Sequence, residues 1–154
     1  NKRENCTAQI IEAYEQTGML TLSLDEVELE RCNHYGILTG DFIDKDRRLM
    51  QVDKMVEKPT MDYAQAYMGV KDKKGVKHYY SVFGQYVLTP KVFEALDRAF
   101  CGHRTDSAEI ELTTILDEIR RTDGMMAYLI DGERFDIGIP EEYRKTLSTY
   151  GLKK

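Results

Sequence analysis

Strand-like and helix-like segments intermix along this chain, which predicts an α/β or α+β class built on a mixed sheet. Two observations carry that reading. Val76 to Leu88 holds Tyr79, Tyr80, Val82, Phe83, Tyr86 and Val87, the densest β-forming composition present, and reads as a central strand. Thr89-Pro90 supplies an N-cap with proline at the first helical position, and Val92, Phe93, Leu96, Ala99 and Phe100 then form one amphipathic face ending before Gly102. At 154 residues the chain is long enough for one domain with a real core, so 1–154 is read as a single domain.

The other elements follow in order. Asn5 or Thr7 caps a first helix with Ile10, Ile11 and Tyr14 on one face, and Gly18 stops it. Met19 to Leu24 alternates as a strand, and Gly36 to Ile43 reads as another. Asp44-Lys45-Asp46-Arg47-Arg48 turns the chain back as Leu49 to Glu57, so the last two strands form a hairpin. Met61 to Met68 suits a short helix, and Lys71 to Gly75 is a basic, solvated turn. Gly84 interrupts the central strand, marking a bulge or a close approach to the backbone. Asp106 and Glu109 stand in capping-box relation ahead of Leu112, Ile115, Leu116 and Ile119, whose helix runs to Gly124. Met125 to Ile130 is a strand, Asp131-Gly132 a turn, and Phe135 to Gly138 a short extended piece. Pro140, Glu141 and Glu142 open the last helix, which Gly151 closes.

Bulk properties exclude several functions. Lys and Arg number 22 against 27 Asp and Glu, and the net charge of −5 offers no general attraction to nucleic acid. No apolar run is long enough to cross a bilayer, and Asn1-Lys2-Arg3-Glu4-Asn5 contains no signal segment, so a cytoplasmic protein is expected. The opening on Asn1 rather than methionine also suggests a piece of a longer protein. Cys6, Cys32 and Cys101 are odd in number and dispersed, which argues against a disulfide framework and fits a reducing compartment. Cys32-Asn33-His34 has no second Cys/His pair at zinc-like spacing. His34, His78 and His103 stand among polar neighbours and read as surface residues.

The most informative stretch is Val52 to Pro59. Pro59 cannot donate to a ladder and biases Lys58 toward extended backbone, so Glu57 and Lys58 should sit where the strand leaves the sheet. A carboxylate there can accept bonds from sugar hydroxyls, and the adjacent ammonium is a compact charge for a phosphate. A solvated Glu-Lys pair at a strand end is the alternative.

Five motifs in register give that pair a context: Tyr35-Gly36, Val56-Glu57-Lys58-Pro59, Phe83-Gly84-Gln85-Tyr86-Val87-Leu88, Ala108-Glu109-Ile110-Glu111-Leu112-Thr113 and Phe135-Asp136-Ile137-Gly138. Together they resemble the sugar-1-phosphate nucleotidyltransferases, most closely the bacterial UTP–glucose-1-phosphate uridylyltransferases. The likeness spans Thr7 to Gly151 and corresponds to the C-terminal part of such enzymes. It implies a Rossmann-like fold with a mixed sheet flanked by helices. It also implies an enzyme that makes a nucleotide sugar, UDP-glucose by the closest likeness, and pyrophosphate from a sugar-1-phosphate and a nucleoside triphosphate such as UTP.

By the same resemblance Gly36 would let the sugar approach the backbone, Glu57 would bind sugar hydroxyls and Lys58 would neutralise the sugar phosphate. Gly84 would leave room for the sugar, and Asp136 would be one of two carboxylates holding Mg2+. The second aspartate and the glycine-rich nucleotide loop have no counterpart here, so the N-terminal nucleotide-binding half is expected to be absent and the fragment inactive alone. That absence motivates a rival reading: a non-catalytic sugar-phosphate-binding or oligomerisation module. A homo-oligomer is left open. Asp136 has its own alternative as the cap of the Pro140 helix, because Ile139 stands where the family often has a polar residue. The capping box likewise accounts for Glu109. The stretch from Thr60 to Tyr79 is longer than the family's usual link and could reshape the sugar pocket, act as a lid or serve as an interface.

Overall fold

The structure, a computed structural model, describes residues 5–102, 112–135, 137–138 and 140–150. Its elements in chain order are α1 (Cys6–Thr17), β1 (Thr21–Val27), a 3-10 helix (Leu29–His34), β2 (Gly36–Phe42), β3 (Leu49–Glu57), α2 (Met61–Tyr67), β4 (Val70–Lys71), β5 (Lys77–Val87), α3 (Pro90–Gly102), α4 (Leu112–Asp123), β6 (Met126–Leu129) and α5 (Pro140–Thr149). The sheet is mixed: β1 and β6 run parallel, and every other pairing is antiparallel. The class expected from sequence is therefore the class found. β5 is central as expected, with β1 on one side and β2 on the other. Since β2 pairs with β3, β3 with β6 and β6 with β1, the pairings run round and return to β5.

Alternation of side chains sorts the core into two faces. Leu20, Leu22, Leu24, Leu38, Met50, Val52, Tyr80 and Val82 point one way, and α3 and α4 cover them with Val92, Ala95, Ile115, Leu116 and Ile119. On the other face α1 lays Ala13 on Leu49 and Met126. Beside it the 3-10 helix and α2 lay Cys32, Ala64 and Met68 on Ile37 and Tyr79. The register of β2 and β3 slips between Thr39 and Gly40, leaving Asp53 as an extra residue. That bulge lets both Val52 and Met55 reach the same core.

Several local readings change. β1 begins at Thr21 and continues to Val27, where partners on β5 extend it beyond the apolar alternation. In α3 the buried face is Val92 and Ala95, while Phe93 and Phe100 are exposed, so the helix is rotated away from the face expected. The segment from Thr60 to Tyr79 carries the short helix expected there, α2. Thr60 caps α2, accepting from the Tyr63 amide at 3.3 Å, and fully buried Ala64 and Met68 seat it. The 3-10 helix and the short β4 have no counterpart among the expected elements. The first helix is as expected, with Asn5 Oδ1 accepting from the Ala8 amide at 2.8 Å and Gly18 at φ 67°. The Asp106–Glu109 box, His103 and Gly151 lie outside the described residues.

Candidate functional site

β3 ends where the sequence says it should, but not in the geometry expected. The Lys58 amide still donates to the Tyr35 carbonyl at 3.1 Å, closing the β2–β3 ladder. Lys58 then takes φ 45°, a left-handed conformation rather than the extended one that a following proline favours. The cause is tertiary: Pro59 is buried and Thr60 must cap α2, so the chain turns sharply on leaving the sheet. Such a conformation costs on the order of 1–3 kcal/mol in a non-glycine residue. The Lys58 side chain is exposed and forms no ion pair among the described residues.

Glu57 faces Gly36 across the ladder. Its Oε2 accepts from Thr113 Oγ1, in the first turn of α4, at 3.1 Å. A Cβ at Gly36 would stand 2.9 Å from that same oxygen and 3.4 Å from Val82 Cγ2, so the space that glycine leaves is the space the carboxylate uses. Tyr86 on β5 is near enough to be affected: burial first, and the Glu57 charge second, push its phenol above the usual range. Gly84 lies between Val82 and Tyr86 at φ 97°, and a Cβ there would meet nothing within 4 Å. The bulge expected at this glycine is present as a register break between the β5 partners of Leu22 and Leu24. Ser23 Oγ fills it, exchanging 3.0 Å bonds with the Gln85 amide and carbonyl. Glu57, Thr113 and Thr114 line a cavity of about 540 Å³ between β3 and α4.

The opposite face of the same strands is furnished differently. Arg134 places its guanidinium 4.1 Å from the Tyr35 ring centroid and donates to the buried Ser81 hydroxyl at 3.1 Å. Arg31 donates to the Tyr35 hydroxyl at 2.7 Å. Asp25 is half-buried beside them; burial pushes its carboxyl up, and the Arg134 charge pulls it partly back. Asp25, Tyr35, Arg134 and Lys145 line a second cavity of about 510 Å³. Gly36 and Glu57 face each other across the ladder, Lys58 follows Glu57 where β3 leaves the sheet, and Gly84 lies on β5, while Asp136, two residues beyond Arg134, lies outside the described residues. No group of three or more His, Cys, Asp or Glu able to hold a metal occurs among the described residues.

Of the histidines, His34 is an exposed surface residue. His78 is a partly exposed surface residue whose Nδ1 meets Glu26 at 2.7 Å and whose Nε2 lies 3.7 Å from Asp72. Cys32 is buried, with its thiol 3.7 Å from the Glu28 carbonyl and pushed up by burial, while Asn33 and His34 are exposed. Thr113 and Arg134 had no assigned role in the sequence reading. Thr113 stood inside a motif, and that was its only signal; Arg134 had none.

The family model described as Nucleotidyl transferase matches residues 3–151. UTP–glucose-1-phosphate uridylyltransferase 2 of Staphylococcus saprophyticus is 33% identical over 145 residues, covering 94% of this chain and 44% of that protein. The UTP–glucose-1-phosphate uridylyltransferase of Staphylococcus haemolyticus is 30% identical with the same coverage. The chain thus spans a little under half the length of these curated relatives. A solved UDP-glucose pyrophosphorylase complexed with UDP-glucose superimposes with a TM-score of 0.76 at 24% identity, over 100% of this chain and 52% of that one. A UTP-bound enzyme from Acinetobacter baumannii gives 0.71 at 24% identity, over 98% and 46%. These two establish likeness of fold. Because the family model matches residues 3–151 of 154, the chain belongs to the nucleotidyl transferase family.

Proposed function

We propose that this chain is the sugar-phosphate side of an enzyme that makes UDP-glucose and pyrophosphate from glucose-1-phosphate and UTP. The observation that carries the reading is the end of β3, where a carboxylate is held beside Gly36 and an ammonium stands exposed on a left-handed turn, without an ion pair among the described residues. Glu57 accepts from sugar hydroxyls, Gly84 leaves room for the ring, and Lys58 neutralises the phosphate. Curated relatives named for UTP and glucose-1-phosphate support the choice of substrates.

The chemistry suits these residues. A sugar-phosphate oxygen, already ionised at neutral pH, attacks the α-phosphorus of UTP; a new P–O bond forms as the bond to the β-phosphate oxygen breaks, and pyrophosphate leaves with the electron pair. No protein base is needed, so positioning and charge neutralisation carry the rate. The family generally takes a divalent cation, and we assign magnesium. A bound magnesium ion would neutralise charge on the phosphates. Asp136 supplies one hard oxygen donor of the type magnesium takes, and the described residues add no cluster to it. In this reading the second carboxylate and the glycine-rich nucleotide loop come from a segment outside these 154 residues.

The test is pyrophosphate release by the full-length protein given UTP, glucose-1-phosphate and magnesium, together with the coding sequence upstream of Asn1. Turnover and a G-x-G-T-R-like segment are expected. A protein with such a segment that neither binds glucose-1-phosphate nor releases pyrophosphate sinks the proposal.

A further inference from the structure

We propose that Thr113 is a positioning residue: its hydroxyl holds the Glu57 carboxylate in the orientation that receives the sugar, inside the space that Gly36 leaves empty. The inference rests on the reading of Glu57 as the sugar-binding group and adds how that group is aimed. Glu57 stands exposed at a strand end, and a glutamate so placed has three rotatable bonds and no intrinsic reason to keep one rotamer. One bond limits that freedom, and the missing Gly36 side chain leaves the space for it. Thr113 Oγ1 donates to Oε2 at 3.1 Å, and the same oxygen lies 2.9 Å from where a Gly36 Cβ would be. Among the described residues nothing bonds the other Glu57 oxygen, Oε1, which stays available to a ligand.

The strut works only if its far end is fixed, and it is. Ile115, Leu116 and Ile119 bury α4 in the main core. Seven residues along, Arg120 donates from Nη1 to the Asp53 carbonyl at the β3 bulge and from Nε to Asp117 at 2.8 Å. α4 is therefore bonded to β3 at Asp53 and again at Glu57, and it delivers the Thr113 hydroxyl to a set place. A carboxylate already held in its binding orientation loses less freedom when the sugar arrives.

The experiment compares wild type, Thr113→Val and Thr113→Ser in the full-length protein, each also in a Glu57→Gln background. Removing a hydrogen bond to a charged group should raise KM for glucose-1-phosphate about tenfold in Thr113→Val, with KM for UTP unchanged. Thr113→Ser should restore the wild-type value, and Thr113→Val should cost less once Glu57 is glutamine, whose amide oxygen accepts only a neutral bond. An active wild type with an unchanged Thr113→Val overturns the inference and spares the function. A wild type without activity or glucose-1-phosphate binding overturns the function. Crystal structures then decide the strut: Glu57 in one orientation in wild type and dispersed in Thr113→Val supports it, and the same orientation in both refutes it.

Discussion

Tyr35 and Gly36 are adjacent in the chain and face opposite sides of one sheet, and the two sides treat polar groups in opposite ways. On the Tyr35 side two cations are taken up by the fold: Arg134 lies on the ring and satisfies buried Ser81, and Arg31 holds the Tyr35 hydroxyl. Where β3 leaves the sheet and on β5 more is left over: Lys58 is exposed without an ion pair among the described residues, and the space at Gly84 is open. A charged group already satisfied by its own chain has little left to give a ligand, whereas an exposed one without an ion pair does. Substitutions on the two sides should therefore separate activity from stability.

The largest effect is expected at Lys58. Lys58→Ala should lower kcat by roughly 10²–10³-fold, the usual consequence of deleting a group that meets developing phosphate charge. Its urea midpoint should stay at or above the wild-type value, since nothing in the described fold depends on that ammonium. Pyrophosphate release and an equilibrium unfolding curve measure the two halves. Full turnover in this variant would break the comparison at its strongest point.

Arg134→Ala should do the converse. It strands the fully buried Ser81 hydroxyl and removes the cation from the Tyr35 face, a loss of about 2 kcal/mol by chemical denaturation. The loss should also grow with pH. Burial already raises the Asp25 carboxyl and Arg134 opposes it, so without the guanidinium that carboxyl rises further. A carboxylate with a raised folded pKa destabilises the fold progressively as pH climbs from its unfolded value, near 3.8, through the folded one. Gly36→Ala is a smaller perturbation and belongs to the other side. A Cβ there displaces Glu57, so affinity for glucose-1-phosphate should fall about tenfold, by titration calorimetry, with the fold retained.

How far the sequence reveals this arrangement depends on the range of the contact. Strong punctuation made β2 and β3 legible, because Gly36, the polar turn at 44–48 and Pro59 mark their ends, and local composition was enough for β5. Helical period identified α3 but could not choose its buried face; Val92 and Ala95 were packed by partners that the period does not name, leaving Phe93 and Phe100 outside. Lys58 shows a local preference overruled, since the buried proline and the α2 cap demand a turn that the residue alone would avoid. Glu57, Lys58 and Gly84 could be grouped only through the order of the motifs. Thr113 and Arg134 meet their partners across 56 and 53 positions, and no pattern in the sequence announces either bond.

The smallest effect concerns a polar cluster away from both sides, where the same distinction can be read from pH. His78 bridges Glu26 on β1 and Asp72 in the β4–β5 turn, and Asp72 in turn accepts from the Lys74 and Val76 amides at 2.8 Å. The bond to Glu26 is the main cause that raises His78 above its usual value near 6.5. The Val76 amide is the main cause that lowers Asp72 below its usual 3.8. A raised histidine stabilises the fold fully below about 6.5 and loses that contribution as pH rises through the folded value; a lowered aspartate contributes above about 3.8 and loses it as pH falls through its own. The melting temperature should thus decline gently as pH climbs beyond 6.5, and His78→Gln should flatten the decline while leaving turnover unchanged. Asp25 produces a decline of the same sign, but one that begins near 3.8, so the two are told apart by where the slope starts. A slope above 6.5 that survives His78→Gln would mean the Glu26–His78–Asp72 cluster is solvated rather than structural, and would remove it from the groups the fold consumes.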